Sequence, residues 1–263
     1  MRVALVQLAS STSSATNRDN IRDQLAELDE SDGLDLVVLP EGAMHDFGSP
    51  DLDLAPVAEL LDGPFVSMLA AEAVRLRSTI VAGMFERPDE GGLPFNTLVV
   101  VGPDGALRAT YRKIHLYDSF GYQESDRLRA GDITPVVVEI AGQQVGLMTC
   151  YDLRFPEHAR ALVDSGAEAI VLPAAWVAGE HKLDHWRTLL SARAIENTIH
   201  MIAAAQGGER YVGHSLVADP WGSIVVEAQS DPAIVRVDVD AEDVKRARDA
   251  NPSLANRRML HTS

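Results

Sequence analysis

Three residues carry the chemistry that this sequence could perform. Glu41 stands in "VVLPEG", Lys113 in "YRKIHLYD" and Cys150, the only cysteine of the chain, in "LMTCYDLRFPE". Each follows an apolar, strand-like run, and strand ends are where α/β sheets place their ligands. A carboxylate, an ammonium and a thiol can divide the labour of attack on an amide. The thiolate adds to the carbonyl carbon, the carboxylate takes the thiol proton and later delivers it to departing ammonia, and the fixed cation steadies the oxyanion. Taken singly, each residue has a plain alternative: a lone cysteine is more often an inert small hydrophobe, and Glu and Lys are more often solvated rim charges. Only the combination points to a site.

The elements that must position these groups alternate. "RVALVQL" reads as a strand, "NRDNIRDQLAELDE" as an amphipathic helix and "LDLVVLP" as a strand buried on both faces. "GPFVSMLAAEAVRLR" opens a second helix at Pro64, and "STIVAGMF" closes a βαβαβ unit. Hairpins follow at "NTLVVVGPDGALRAT" and at "PVVVEI" with "QQVGLMTC". After Phe155 come a helix, the strand "AEAIVLP", a long helix over "HKLDHWRTLLSARAIEN", the strand "HMIAAA", the hairpin "HSLVADPWGSIVVEA" and a helix at "AEDVKRARDA". The first and last hairpins share a strand, a turn with Pro and Gly, and a second strand, which hints at an internal duplication. Two mixed sheets packed face to face with helices outside, a four-layer αββα sandwich of the α/β class, would accommodate such halves. "DFGSPDLDLAP" and "ERPDEGGLP" read as exposed acidic loops. With no linker or low-complexity segment, residues 1–263 are expected to form one domain.

Composition narrows the setting. The 263 residues carry a formal net charge of −16 with no Lys/Arg stripe, which disfavours nucleic acid and anionic membranes as partners. The opening "MRVALVQLAS" is too brief for a signal or membrane segment, and no apolar run approaches the length of a span, so a cytoplasmic location is expected. One cysteine forms no internal disulfide and there is no Cys/His cluster. His181 and His185 stand four apart on a helix without a third ligand, so they read as surface and no metal is expected.

Together the three blocks, in order, resemble the signature segments of the nitrilase (carbon–nitrogen hydrolase) superfamily, and "LPAAW", "HWRTLLSARAIEN" and "ADPWG" are similar to further family segments. The resemblance implies an αββα sandwich, a Glu41/Lys113/Cys150 triad, no cofactor, a small-molecule substrate, and homodimers or larger assemblies. It also implies a second glutamate after the lysine, matched by Glu124 in "FGYQESD", for which a bland surface position is the alternative. Lys113 and the Tyr151 backbone N–H would hold the oxyanion, and Trp176 of "LPAAW" would join the substrate-binding residues. "CYDLRFPE" resembles the branch containing ω-amidases and deaminated-glutathione amidases. Amide hydrolysis through a thioester is therefore the expected reaction, with N-carbamoyl amides as near neighbours and nitriles as farther ones. Rivals from other classes are a non-catalytic interaction protein, which would be expected to have lost a triad member, and a thiol sensor, which would lack a resolving cysteine.

Arg154, four residues past the cysteine, could swing across the pocket mouth and grip a substrate carboxylate bidentately. The resemblance favours that role. The alternative is a surface pair with Asp152 or Glu157. On the long helix, Trp186, Leu189, Leu190 and Ile195 form a face too apolar for open solvent, which fits either intrachain core or a dimer seam.

Overall fold

The computed structural model describes residues 1–119 and 121–259. It begins with strand β1 (Arg2–Gln7), helix α1 (Ser14–Leu25), strand β2 (Leu36–Val38), helix α2 (Pro64–Leu76) and strand β3 (Thr79–Glu86), the three strands running parallel. Ser13 caps α1 by accepting from the Thr16 N–H at 3.3 Å, and Pro64 opens α2 where a missing N–H leaves no bond unmade. Strands β4 (Phe95–Val101) and β5 (Leu107–Arg112) add an antiparallel hairpin, and β6 (Asp118–Ser119) with β7 (Tyr122–Gln123) forms a small separate ribbon. The second half comprises β8 (Val137–Ile140), β9 (Gln143–Leu147), α3 (Pro156–Asp164), β10 (Ala169–Ala174), α4 (Lys182–Asn197), β11 (His200–Ala205), β12 (Leu216–Ala218) and β13 (Ile224–Glu227). Strand β14 (Ala233–Asp238) and helix α5 (Ala241–Ala250) follow.

The two large sheets have one topology. The first runs β14-β1-β2-β3-β4-β5 and the second, in the matching direction, β8-β9-β10-β11-β12-β13. In each, three central strands are parallel and the flanking ones antiparallel. The hairpins that suggested a duplication occupy equivalent places, and both carry a register shift, between Val100 and Val101 and between Val217 and Ala218.

Period-2 alternation sorts the strand residues into layers. Val37, Leu39 and Ile80 pack with Ile21 and Leu25 of α1 and Phe65 and Leu69 of α2. Their neighbours Leu36, Val38 and Val81 instead meet Leu147, Val171 and Ile202 of the other sheet. On the far side, Ile170, Leu172 and Met201 are covered by Leu162 of α3 and Trp186 and Leu190 of α4. This is the expected αββα sandwich.

Three expectations need correction or completion. Strand β14, from the tail, was not foreseen; it pairs antiparallel with β1. The loop over "DFGSPDLDLAP" is not wholly exposed: Asp46, Phe47 and Gly48 are buried, because Asp46 accepts from the Gly48 N–H, Arg210 and the Tyr211 hydroxyl. The apolar face of α4 divides, with Trp186 and Leu190 fully buried, Leu189 packed against the core and Ile195 48% exposed.

Candidate active site

Local structure explains how Glu41 reaches the site. Pro40 cannot continue the ladder, so the chain leaves β2 there, while the Leu39 N–H still donates to Val81 and the Gly83 N–H to Pro40. A Cβ on Gly83 would lie 2.6 Å from the Glu41 Cα, so only glycine allows β3 to pass this close. The Glu41 carbonyl accepts from Gln206 Nε2 at 3.0 Å. Lys113 follows β5 directly, held by its N–H donating to the Asn96 carbonyl and its carbonyl accepting from the Gly131 N–H. Glu124 sits beyond β7, its carboxylate accepting from the Tyr117 N–H at 2.6 Å.

These side chains converge. Lys113 Nζ, 2% exposed, donates to Glu41 Oε1 at 2.9 Å and to both oxygens of Glu124, at 2.8 and 3.1 Å. Asn96 Nδ2 donates to the same two carboxylates, at 2.7 and 3.1 Å, and the Ala175 N–H donates to Glu41 Oε2 at 2.7 Å. Glu41 and Glu124 are each 1% exposed, so the surface alternative for Glu124 is excluded. Buried charges persist only when paired and hydrogen-bonded, and here one ammonium is shared by two carboxylates. Burial alone would depress the Lys113 ammonium, but Glu124 and Glu41 outweigh it and hold it well above the ordinary lysine range.

Cys150 lies beside this cluster at the start of a 3-10 segment, Cys150–Arg154, with φ at +45. A non-glycine residue in the left-handed region is held there by its surroundings. Burial, with the neighbouring Glu41 charge, pushes the thiol well above its usual range, partly opposed by Lys113. That direction favours the thiol form of Cys150 at rest, with the Glu41 carboxylate nearby.

Cys150, Glu41, Lys113 and Glu124 open onto a cavity of about 250 Å³ that Tyr151, Arg154 and Trp176 also line. That is small for a ligand site and suits a metabolite-sized molecule. Arg154 is not paired with Asp152 or Glu157. Its guanidinium lies 4.9 Å from the Trp176 ring centroid, and Nη2 is 3.4 Å from His185 Nδ1. Lys182, at the start of α4, faces the same ring, and its amine is lowered by burial and by Arg154. Besides the buried carboxylates, then, the pocket lining carries two cationic side chains, Arg154 and Lys182, beside the Trp176 ring. Sequence reasoning missed Asn96, Lys182, Tyr117, Arg210 and Tyr211, all at or lining the site. Of these only Lys182, near the helix start in "GEHKLDH", carried a local signal.

Asp152 was weighed only as a partner for Arg154, but it is fully buried, two residues past Cys150. It accepts from Tyr111 Oη at 2.6 Å, the Thr149 N–H at 2.8 Å, and the His115 N–H and Nδ1 at 3.2 and 2.7 Å. Burial would raise this carboxyl; the hydrogen bonds from His115 and Tyr111, with His158 Nδ1 3.7 Å away, overcome it and hold it well below the usual range. Among the described residues, His115, Asp152 and His158 are the one group whose atoms approach within 4.8 Å as metal ligands would. The donors already filling the Asp152 oxygens fit a hydrogen-bonded hub instead.

Comparison with known proteins agrees with this geometry. The sequence model of the carbon–nitrogen hydrolase family matches residues 2–249. A deaminated glutathione amidase from Escherichia coli O157:H7 is 40% identical over 259 residues, covering 98% of this chain and 97% of that protein. An omega-amidase from Pongo abelii is 32% identical over 269 residues, covering 98% and 94%. Among solved structures, a CN-hydrolase superfamily protein from Xanthomonas campestris with an arsenic adduct in its active site gives a TM-score of 0.88 at 31% identity, over 100% of this chain and 99% of that one. A mutant of the amidase from Nesterenkonia sp. AN1, with the acetamide moiety of fluoroacetamide added covalently at its active-site cysteine, gives 0.79 at 27% identity, over 98% and 97%. The chain spans nearly the full length of these relatives, and it belongs to the carbon–nitrogen hydrolase family of the nitrilase superfamily.

Proposed function

We propose that the protein is an amidase that releases ammonia from a small amide bearing a carboxylate, through a thioester on Cys150. The observation that carries this reading is the convergence of the Cys150 thiol, Glu41 and the doubly paired Lys113 at one buried corner of the cavity. Glu41 takes the thiol proton as sulfur bonds to the amide carbon. Lys113 and the Tyr151 N–H, in the first turn of a 3-10 segment where such donors lack intrahelical partners, receive the oxyanion. Glu41 returns the proton to nitrogen, the C–N bond breaks and ammonia leaves. Water then gives its proton to Glu41 as its oxygen attacks the thioester, and the acid departs with the thiol restored. Glu124 orients Lys113 throughout.

The carboxylate preference rests on Arg154, which with Lys182 flanks Trp176 in the pocket lining, and the relatives named deaminated glutathione amidase and omega-amidase support it. In a protein of net charge −16 the overall field opposes an anion, so a local fork of donors must hold it. Arg154→Ala should lower kcat/KM for a dicarboxylic acid monoamide by roughly 2–4 kcal/mol, the scale of truncating one partner of a buried charge pair. Neutral amides of similar size should lose far less. Equal losses on both would make Arg154 structural. N-carbamoyl amides and nitriles are the competing substrates, and an assay in which only nitriles react would overturn the amidase reading.

Residues 1–263 are taken as one catalytic unit that works in the cytoplasm as a homodimer or larger homo-oligomer. Support for assembly comes from the last hairpin. Trp221 and Val225 are 54% and 50% exposed, and the turn residue Gly222 abuts the exposed Ile195 of α4. Sedimentation should give at least twice 28.4 kDa; a monomer at working concentration would refute it.

A further inference from the structure

We infer that Asp152 is a positioning residue, a buried tie that fixes the Cys150 elbow relative to Lys113; this rests on the reading of Cys150 as nucleophile. The tie joins two segments that the fold brings together from different sheets. On one side, Asp152 Oδ2 accepts from the Thr149 N–H at 2.8 Å while its own N–H donates to the Thr149 carbonyl at 2.9 Å, closing a small ring around Cys150. On the other, the same oxygen accepts from Tyr111 Oη at 2.6 Å, and Oδ1 accepts from the His115 N–H and Nδ1. Tyr111 and His115 bracket Lys113, and the Tyr111 hydroxyl also accepts from the Ile114 N–H at 3.2 Å, so the turn carrying the lysine is pinned at both ends.

Such a tie is needed for a physical reason. Cys150 occupies the left-handed region, which an L-residue leaves unless its neighbours over-determine it. Its 3-10 segment hangs from β9 in one sheet, whereas Lys113 ends β5 in the other. The faces between the sheets are packed with aliphatic side chains, which resist separation but direct nothing. A carboxylate with no exposure, accepting four directional bonds, sets both distance and orientation. His115 is itself fixed, stacked on Phe155 with ring centroids 3.8 Å apart. An amide could not substitute, because each carboxylate oxygen faces a backbone N–H, of Thr149 on Oδ2 and of His115 on Oδ1, so its –NH₂ would meet a donor in either orientation.

The test uses Asp152→Asn, Tyr111→Phe and the double variant. It measures kcat and KM for ammonia release, the rate of Cys150 alkylation by iodoacetamide, and the unfolding midpoint. Asp152→Asn should lower kcat about a hundredfold with KM within about threefold, and slow alkylation at least tenfold. Tyr111→Phe keeps the bonds to Thr149 and His115 and severs only the strand side; it should lower kcat about tenfold. Because both cut one tie, the double variant should be no slower than Asp152→Asn alone. A lowered midpoint with kcat and alkylation unchanged, or losses that simply multiply, would overturn the proposal. Should Asp152→Asn fail to fold, Tyr111→Phe decides alone, and an unchanged kcat rejects the tie. Should the wild type release no ammonia, the amidase reading fails, and the alkylation rates still judge the tie.

Discussion

Cys150→Ala is expected to lower ammonia release at least ten-thousandfold while the unfolding midpoint moves by only a few degrees. The two readouts separate because the thiol does two different things. Chemically it is the only atom in the cavity that can form the thioester, and without it Glu41 and Lys113 have no nucleophile to serve. A ten-thousandfold loss corresponds to roughly 5.4 kcal/mol of transition-state stabilisation, and triad-like units do collapse together when one member is removed. Structurally, alanine takes the same left-handed backbone at similar cost and removes a single buried sulfur, worth on the order of 1 kcal/mol. For a chain of this size that shifts the midpoint by about 2–4 °C. Hydrolysis at the wild-type rate by a well-folded Cys150→Ala protein would reject the mechanism outright.

The parts of this site that were legible in the sequence are those whose chemistry is local. Glu41, Lys113 and Cys150 each interrupt an apolar run with a reactive group, so each strand end announces itself. Asn96 does not, because at the start of "NTLVVV" it reads as the flank of a strand. It reaches Glu41 and Glu124 only because β4 runs antiparallel to β3 and returns its first residues to the sheet edge from which Glu41 projects. Asp152, amid "CYDLRFPE", looked like a surface carboxylate beside an arginine, and its burial exists only once β5 and the turn after it close over it. Asp46 meets Arg210 and Tyr211 from the other end of the chain, a contact that no periodicity carries. The same holds for β14: its alternating pattern is visible in "AIVRVDVD", but its partner is the first strand. The helix–strand order and the duplicated hairpins were legible because each depends on patterns spanning a few tens of residues.

Glu41→Gln should be the second most damaging change, lowering ammonia release about a thousandfold or more, roughly 4 kcal/mol, while leaving Cys150 reactive toward an α-halo amide. On the proposed mechanism the carboxylate performs two proton transfers before ammonia leaves, from the thiol during addition and to nitrogen during departure, and an amide can do neither. Gln also cannot satisfy the site: Oε1 of Glu41 accepts from Lys113 and Asn96 and Oε2 from the Ala175 N–H, so the new –NH₂ must face a donor. Alkylation by a halo amide differs in the step that matters, because halide leaves without a proton. The Glu41 charge is one cause of the raised thiol, whereas Lys113 lowers it, so removing that charge should make the thiolate easier to form. Mass spectrometry should therefore find the carbamoylmethyl adduct on Cys150 in a protein that turns over almost no amide. Ammonia release within tenfold of wild type would show that another group carries the proton, and failure to alkylate would show that Glu41 acts by holding Cys150 in place.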